Sequence, residues 1–257
     1  MKKKVFLFIV LIVLFVFGIL IYDFSDELDE KLVKNIWYIE ENNNIYILRF
    51  KDNKLKLTSE NGTESEDYKD CTTFQYNKNV SMLKLKCNNE SKKIFIKSYD
   101  EQKLTINEDG IDKKFYSSKE LALIENFKEE NNLSDSDYNN LISINFNDDL
   151  FIDYKTFLSL LKGKSKVYIG IISNNISYEN AYNYQALNNL IKNSSKKFYL
   201  LNINDLNDND LSKLNKETNI INYDNKLYIY EVGNKALKNK VIIESVSKND
   251  LDNYKNI

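Results

Sequence analysis

The chain of 257 residues contains no histidine and no proline, and it has only two cysteines and six glycines. Without histidine it can form neither a Ser-His-Asp triad nor a Cys-His nucleophile arrangement. It also lacks the commonest general base near neutral pH and the commonest metal ligand. Two cysteines are too few for a zinc site built from four thiolates. We therefore expect no metal or other cofactor, and a binding role rather than catalysis.

Charge excludes a second class of function. The formal net charge is −2, with 36 basic and 38 acidic residues interspersed along the chain. A nucleic-acid-binding domain usually carries a strong basic excess, so we predict no nucleic-acid partner. Asparagine, lysine, isoleucine and tyrosine are abundant, as is typical of an AT-rich coding sequence. A single asparagine or lysine therefore carries little functional information.

The N-terminus contains the one long apolar run. Residues 2–4 are lysines, and Val5 to Tyr22 carry no charge. As a helix this run spans roughly 27 Å, close to the hydrocarbon thickness of a bilayer. The alternative is a cleaved signal peptide, but the run is longer than a usual signal core and lacks a small-residue cleavage site. The sequence thus predicts a single-pass protein of a bacterial cell membrane, with a cytoplasmic N-terminus and residues 23–257 extracytoplasmic.

A region of short alternating runs follows a polar stalk at residues 23–35. From residue 36 to residue 118, runs such as Ile45–Leu48 and Leu104–Ile106 are separated by turn signals, among them Asn43-Asn44 and Asp109-Gly110. This spacing predicts an antiparallel meander of about eight strands, as a small barrel or a strongly bent sheet. Trp37 at the first strand resembles the opening of lipocalin-like barrels, although a large aromatic residue also suits a packed core.

The two cysteines are expected to face each other in this region. A hairpin turn near Asn79 would place Cys71 opposite Cys87, because residues paired across such a hairpin have numbers that sum to 158. Directly opposed residues have Cα atoms roughly 4.5–5.5 Å apart, which is within reach of a disulfide. We predict a structural bond. A redox-active pair is the alternative, but no CxxC spacing or helix N-terminus activates either thiol.

Beyond a linker helix and polar loop at residues 119–139, helical and strand patterns alternate to residue 257. The strand candidates are Leu141–Phe146, Lys166–Ile172, Lys197–Ile203, Lys226–Tyr230 and Val241–Ile243. Helices are predicted after Asp153, which we expect to be an N-cap, from Tyr178 to Asn193 with Ser177 as the cap, from Leu206 to Glu217, and from Ser247 to Tyr254. The predicted fold class is α+β overall: a membrane helix, an antiparallel β domain and an α/β domain.

The order β-α-β-α-β-α-β-β-α resembles the thioredoxin fold over residues 140–257. Val167-Tyr168-Ile169-Gly170 matches the strand that precedes the CxxC motif in extracytoplasmic thioredoxin-like proteins, including relatives of bacteriocin-transport accessory proteins. The two cysteine positions of that motif fall on Asn174 and Ser177, and the position of the cis-proline loop falls near Asn225. The resemblance implies a domain that has lost its redox centre, because thiol exchange needs two thiols.

The resemblance also implies a surface for an extended partner segment. Its positions here are Ser173, Asn174, Asn175, Ile176, Ser177, Asp224, Asn225 and Lys226. We predict a binding, adaptor or chaperone-like module whose partners are the membrane, through Val5–Tyr22, and a protein or peptide. Two alternatives remain open: a thiol-disulfide oxidoreductase that uses Cys71 and Cys87, and a small-ligand carrier with a pocket beside Trp37.

Overall fold

A computed structural model of the chain describes residues 24–25, 28, 30–51, 54–63, 65, 71–78, 80–87, 90–173, 175–220, 223 and 225–255. The chain divides into two units between Phe127 and Lys128. The first unit contains an antiparallel sheet, and the second contains a smaller mixed sheet with helices on both faces.

Nine strands of the described residues form the sheet of the first unit. They are β1 (Phe24–Ser25), β2 (Trp37–Glu41), β3 (Asn44–Lys51), β4 (Lys54–Ser59), β5 (Cys71–Asn77), β6 (Met82–Cys87), β7 (Glu90–Tyr99), β8 (Lys103–Glu108) and β9 (Ile111–Tyr116). Helix α1 (Glu30–Lys34) precedes β2, and helix α2 (Lys119–Glu130) crosses the division between the units. The strand order is β1-β5-β6-β7-β8-β9-β2-β3-β4. Strands β2 to β9 form a curled sheet, in which β4 comes close to β5.

Alternation of apolar and polar residues builds this curled sheet, as the sequence predicts. Tight turns need left-handed backbone, and the chain provides it at Asn42 and Asn43 (φ 53° and 61°) and at Asp109 and Gly110 (φ 50° and 87°). Trp37 is fully buried, and its Nε1 donates a hydrogen bond to the carbonyl oxygen of Leu32 over 3.2 Å. Trp37 is therefore a core residue of a packed interior.

The disulfide predicted between Cys71 and Cys87 is present. The two residues are direct partners in the β5–β6 ladder. The rest of this hairpin pairs residues whose numbers sum to 159, as for Tyr76 and Leu83, and an irregularity next to Cys71 brings the cysteines opposite each other. The sequence thus predicted the correct pairing with a register one residue different along most of the hairpin.

The membrane-spanning helix in the predicted fold class is contradicted. Among the described residues, no helix is long and apolar enough to cross a membrane. The longest of them has 13 residues, whereas a span needs about 20 apolar residues. The segment Val5–Tyr22 itself lies outside the described residues. Single-pass anchoring and an extracytoplasmic location for residues 23–257 were both predicted from this membrane helix. These two predictions are therefore contradicted as well.

In its described residues, the second unit has four α-helices and three short 3-10 helices around four strands. Its α-helices and strands are α3 (Asp135–Ile142), α4 (Tyr154–Lys162), β10 (Val167–Ile172), α5 (Ala181–Asn193), β11 (Phe198–Asn202), α6 (Asp208–Thr218), β12 (Lys226–Gly233) and β13 (Ala236–Glu244). Short 3-10 helices occupy Asp148–Leu150, Ile203–Asp205 and Lys248–Tyr254. The sheet order is β11-β10-β12-β13, with β10 parallel to β11 and β12 antiparallel to both of its neighbours.

Strand β10 is the centre of the second unit. All six of its residues are buried. Ile169 and Ile171 pack in one apolar cluster with Phe157 of α4 and Leu214 of α6, whereas Tyr168 and Ile172 pack in another with residues of α5. A strand that is covered on both faces needs apolar residues at successive positions, and the sequence of β10 has this pattern.

Gly170 allows the close packing on the α5 side of β10. A Cβ atom at this position would lie 3.0 Å from Leu200 Cδ2 and 3.3 Å from Phe198 Cε1. Both distances are shorter than ordinary contacts, so the absence of a side chain here lets β11 pack tightly against β10. The glycine that interrupts the apolar run is thus a packing feature of the strand.

The predicted strand Leu141–Phe146 is wrong. Ser134 caps a helix there: its Oγ accepts a hydrogen bond from Asp137 N (3.1 Å), and its own N donates to Asp137 Oδ2 (3.2 Å). This capping box begins α3, which continues to Ile142. The first residue of the unit that pairs with the sheet is instead Phe151, which forms a single parallel bridge with Leu200.

We expect the disulfide to stabilise the first unit. Replacing both cysteines with serine (C71S/C87S) should lower the free energy of unfolding by about 3 kcal/mol, since the bond closes a short loop with a sequence separation of 16. Trp37 is the only tryptophan, so its fluorescence follows unfolding of this unit in urea. An unchanged urea midpoint would show that the bond does not stabilise the sheet.

Candidate functional site

The candidate site lies at the carboxyl end of β10, in the irregular segment that leads to α5. Ser173, Asn175, Ile176 and Ser177 belong to this segment, and Asn225 and Lys226 stand at the beginning of β12. Asn174 and Asp224 lie outside the described residues. Because β10 and β12 are antiparallel neighbours, the end of one strand lies beside the beginning of the other. The two predicted stretches therefore come together.

Helix α5 begins later than the sequence predicts. Its first residue is Ala181 and its N-cap is Asn180, so Ser177 is not the cap. The side chain of Asn180 accepts a hydrogen bond from the backbone N of Ser177 (Oδ1, 2.8 Å). An asparagine that binds nearby backbone groups competes with helix formation, and here it holds residues 177–180 in a turn. The positions that correspond to the CxxC motif thus precede the helix by several residues.

Asn180 also connects the segment to the start of β12. Its Nδ2 donates to the carbonyl oxygen of Asn175 (2.9 Å) and lies 3.4 Å from Oδ1 of Asn225. Asn180 is only 6% exposed. A buried amide is stable only when its polar atoms have partners, and this side chain has partners on both stretches of the candidate site.

Asn183, in the first turn of α5, makes the second connection. Its Nδ2 donates to the carbonyl oxygen of Asn225 over 2.7 Å, and its Oδ1 accepts from the backbone N of Val246 over 2.9 Å. The residue is 1% exposed. One side chain therefore joins three separate parts of the chain: the helix, the residue that precedes β12, and the segment that follows β13.

Asn225 itself has a left-handed backbone, with a φ of 53°. Asparagine tolerates this conformation better than most residues because its short polar side chain bonds locally. Its Nδ2 donates to Glu179 Oε2 over 2.9 Å, on the outer side of the cluster. We call Asn175, Asn180, Asn183 and Asn225 the asparagine cluster.

Two further contacts fix the borders of the site. The hydroxyl of Tyr184 donates to the carbonyl oxygen of Ser173 over 2.6 Å, and burial raises the pKa of this hydroxyl above its ordinary value. Lys226 forms an ion pair with Glu244 at 2.5 Å, and this hydrogen-bonded carboxylate raises the pKa of the Lys226 amine. Tyr184 therefore stays a neutral donor at physiological pH, and Lys226 stays a cation.

The described residues of the site present polar and cationic groups to the solvent. Asn175, Asn225 and Lys226 are exposed, and Ile176 and Ser177 are half-buried. Together they present amide, hydroxyl and cationic groups on a surface whose backbone is fixed from beneath. Ser177 has no histidine to activate it, since the chain contains none. Within the described part of the chain, no group of three or more acidic or cysteine side chains could hold a metal ion.

The two cysteines lie in the first unit and are joined in a disulfide. Cys71 is 8% exposed and belongs to the core of the curled sheet, and Cys87 is half-buried and packs against the same core. Exchange begins when a thiolate approaches one of the sulfur atoms, so burial hinders the approach to Cys71.

Comparison with known proteins adds no assignment. No protein-family model matches the chain, and neither a curated protein nor a solved structure matches it. The thioredoxin-like resemblance therefore stays a prediction.

Sequence reasoning missed Asn180 and Asn183, the residues that organise the site. Each is one asparagine in a chain rich in asparagine, and its bonding partners lie far away in sequence, up to 63 residues for Asn183 and Val246. One signal was present: both positions lie within the helical pattern of residues 178–193, where apolar residues would be expected on the buried face.

We expect Asn183 to be essential for the stability of the second unit. Asn183→Ala leaves the Asn225 carbonyl and the Val246 N–H, which are only partly buried, without this partner, at a cost of about 1–3 kcal/mol. Asn193→Ala, at the exposed end of the same helix, should cost less than about 0.5 kcal/mol. Urea unfolding followed by far-ultraviolet circular dichroism measures both variants. Equal midpoints for the two would contradict a structural role for Asn183.

Proposed function

We propose that residues 140–257 form a thioredoxin-like domain without a redox centre, and that this domain binds an extended segment of a protein or peptide partner. The binding surface consists of Ser173, Asn175, Ile176, Ser177, Asn225 and Lys226. The domain acts as an adaptor or a chaperone-like module.

The observation that carries the proposal is the linkage of the two predicted stretches by Asn180 and Asn183. The resemblance in sequence implies that residues 173–177 and 224–226 form one surface, although about fifty residues separate the two stretches. The bonds from Asn180 to Asn175 (2.9 Å) and from Asn183 to Asn225 (2.7 Å) hold these stretches side by side. A prearranged surface loses less entropy when it binds, which favours recognition of a partner.

The topology gives independent support to the thioredoxin-like part of the proposal. From Phe151 onward the elements follow the order β-α-β-α-β-α-β-β, with the bridge of Phe151 to Leu200 in place of the first strand. The 3-10 helix Lys248–Tyr254 follows the last strand, where the resemblance expects a helix. The strand that reads Val167-Tyr168-Ile169-Gly170 is the central strand β10.

The chemistry of the chain favours binding over thiol exchange. Residues 128–257 contain no cysteine. The two cysteines of the first unit are joined in a disulfide, and Cys71 is buried. The small-ligand alternative receives no support from Trp37, whose ring is fully buried in the core.

A photocrosslinking experiment tests the proposal. A photoreactive benzoyl-phenylalanine at position 175 should crosslink reduced, carboxymethylated α-lactalbumin, an unfolded chain, at least five times more efficiently than the same group at Lys155. Lys155 is exposed on α4 and serves as the matched control. Native α-lactalbumin should not crosslink at either position. Equal yields at the two positions, or none at position 175, would refute the proposed surface.

A further inference from the structure

The outward face of the β3–β4 hairpin, in the first unit, carries four exposed cations. They alternate with the buried residues Leu48, Phe50, Leu55 and Leu57, which point into the core. The cations, which we call the basic quartet, are Arg49, Lys51, Lys54 and Lys56. Arg49 is the only arginine among the 36 basic residues of the chain. All four charges of this face are positive, although the chain as a whole has a net charge of −2.

The register of the hairpin brings the four charges together. Arg49 lies directly opposite Lys56, and Lys51 lies directly opposite Lys54. Opposed side chains have Cβ atoms roughly 4.5–5.5 Å apart, and alternate residues of one strand are about 6.6–6.8 Å apart. The quartet therefore forms a small rectangle of positive charge. Like charges in directly opposed positions destabilise a sheet, so the arrangement acts against stability.

No carboxylate offsets this repulsion in the described part of the chain, where none lies within 4 Å of the four cationic groups. Two other exposed lysines of the same unit do have acidic partners: Lys97 pairs with Asp112 at 2.7 Å, and Lys119 pairs with Glu60 at 2.5 Å. The quartet differs from these two lysines because four cations lie together without a carboxylate among the described residues, so acidic groups of another molecule can be their partners.

We propose that the basic quartet binds an extended acidic peptide whose carboxylates occur at alternate positions. In an extended chain, alternate side chains point to one side and repeat every 6.6–6.8 Å, approximately. Arg49 and Lys51 have the same spacing, and so do Lys56 and Lys54, so two carboxylates of one peptide can each meet an opposed pair of cations. The guanidinium of Arg49 can bind a carboxylate with two parallel hydrogen bonds. This surface is separate from the asparagine cluster and goes beyond the function proposed above.

The hairpin does not have the features of two rival partners. Single-stranded nucleic acids stack their bases on exposed aromatic side chains, and membrane-surface elements insert exposed apolar ones. In the described residues of β3 and β4, no large hydrophobic side chain is exposed. The feature of the hairpin that can attract a partner is its positive charge. This charge favours a partner whose negative groups repeat at the same spacing as the cations.

The test uses the full chain and two labelled ten-residue peptides of equal composition. In one peptide glutamate and serine alternate, and in the other five glutamates precede five serines. At low ionic strength, fluorescence anisotropy should show at least fivefold tighter binding of the alternating peptide. Arg49→Gln with Lys56→Gln should weaken that binding at least tenfold. These variants should melt at the same temperature as the native protein or higher, because a repulsion has been removed.

A charge-matched control separates a specific site from general attraction. Lys86→Gln with Lys93→Gln removes the same charge from exposed positions of β6 and β7 in the same sheet. This control should change the affinity less than twofold. Equal loss in both double variants, equal binding of both peptides, or no binding at millimolar peptide would overturn the proposal. Tighter binding to an oligo-dT strand or to vesicles of anionic lipid than to the alternating peptide would overturn it as well.

Discussion

The second unit depends on one buried amide. Asn183 donates to the Asn225 carbonyl and accepts from the Val246 N–H, so a single side chain joins the first turn of α5 to both ends of the β12–β13 hairpin. Asn183 itself is only 1% exposed, so its side-chain amide depends on these two partners for hydrogen bonds. Asn180 extends the connection to Asn175, and the irregular segment after β10 is thereby fixed. The exposed polar surface above it follows from these buried bonds.

The scaffold keeps the geometry of an α/β site without the reactive groups that usually occupy one. A buried central strand, a connecting segment and a helix meet at one edge of the sheet, a location that often serves ligand binding in such folds. The polar groups that the described residues offer at this edge are amides, hydroxyls, one lysine and the carboxylate of Glu179, which accepts from Asn225 Nδ2. The chain has no histidine to activate them. Both cysteines are in the other unit, where the bond between Cys71 and Cys87 supports a sheet.

Local patterns predicted the parts of the fold that depend on local physics. The apolar run of β10, the Asp153 cap, which accepts from Thr156 N over 2.7 Å, and the cysteine pairing could each be inferred from neighbouring residues. Predictions failed where the hydrogen bonds of one side chain decide where a helix begins, because the spacing of apolar residues does not show such bonds. Asn180 binds Ser177 N and so delays α5, and the capping box at Ser134 begins a helix where a strand was expected. The long-range bonds of Asn183 had no local signal other than an amide on an otherwise apolar helix face.

The central claim is that the Asn183 side chain bonds to the Asn225 carbonyl. Nuclear magnetic resonance of the isotope-labelled protein can detect this bond as a scalar coupling between Asn183 Nδ2 and the Asn225 carbonyl carbon. The account predicts that this coupling is measurable and that the Asn183 amide protons exchange with solvent much more slowly than those of exposed Asn193. Absence of the coupling, together with equally fast exchange at both asparagines, would contradict it.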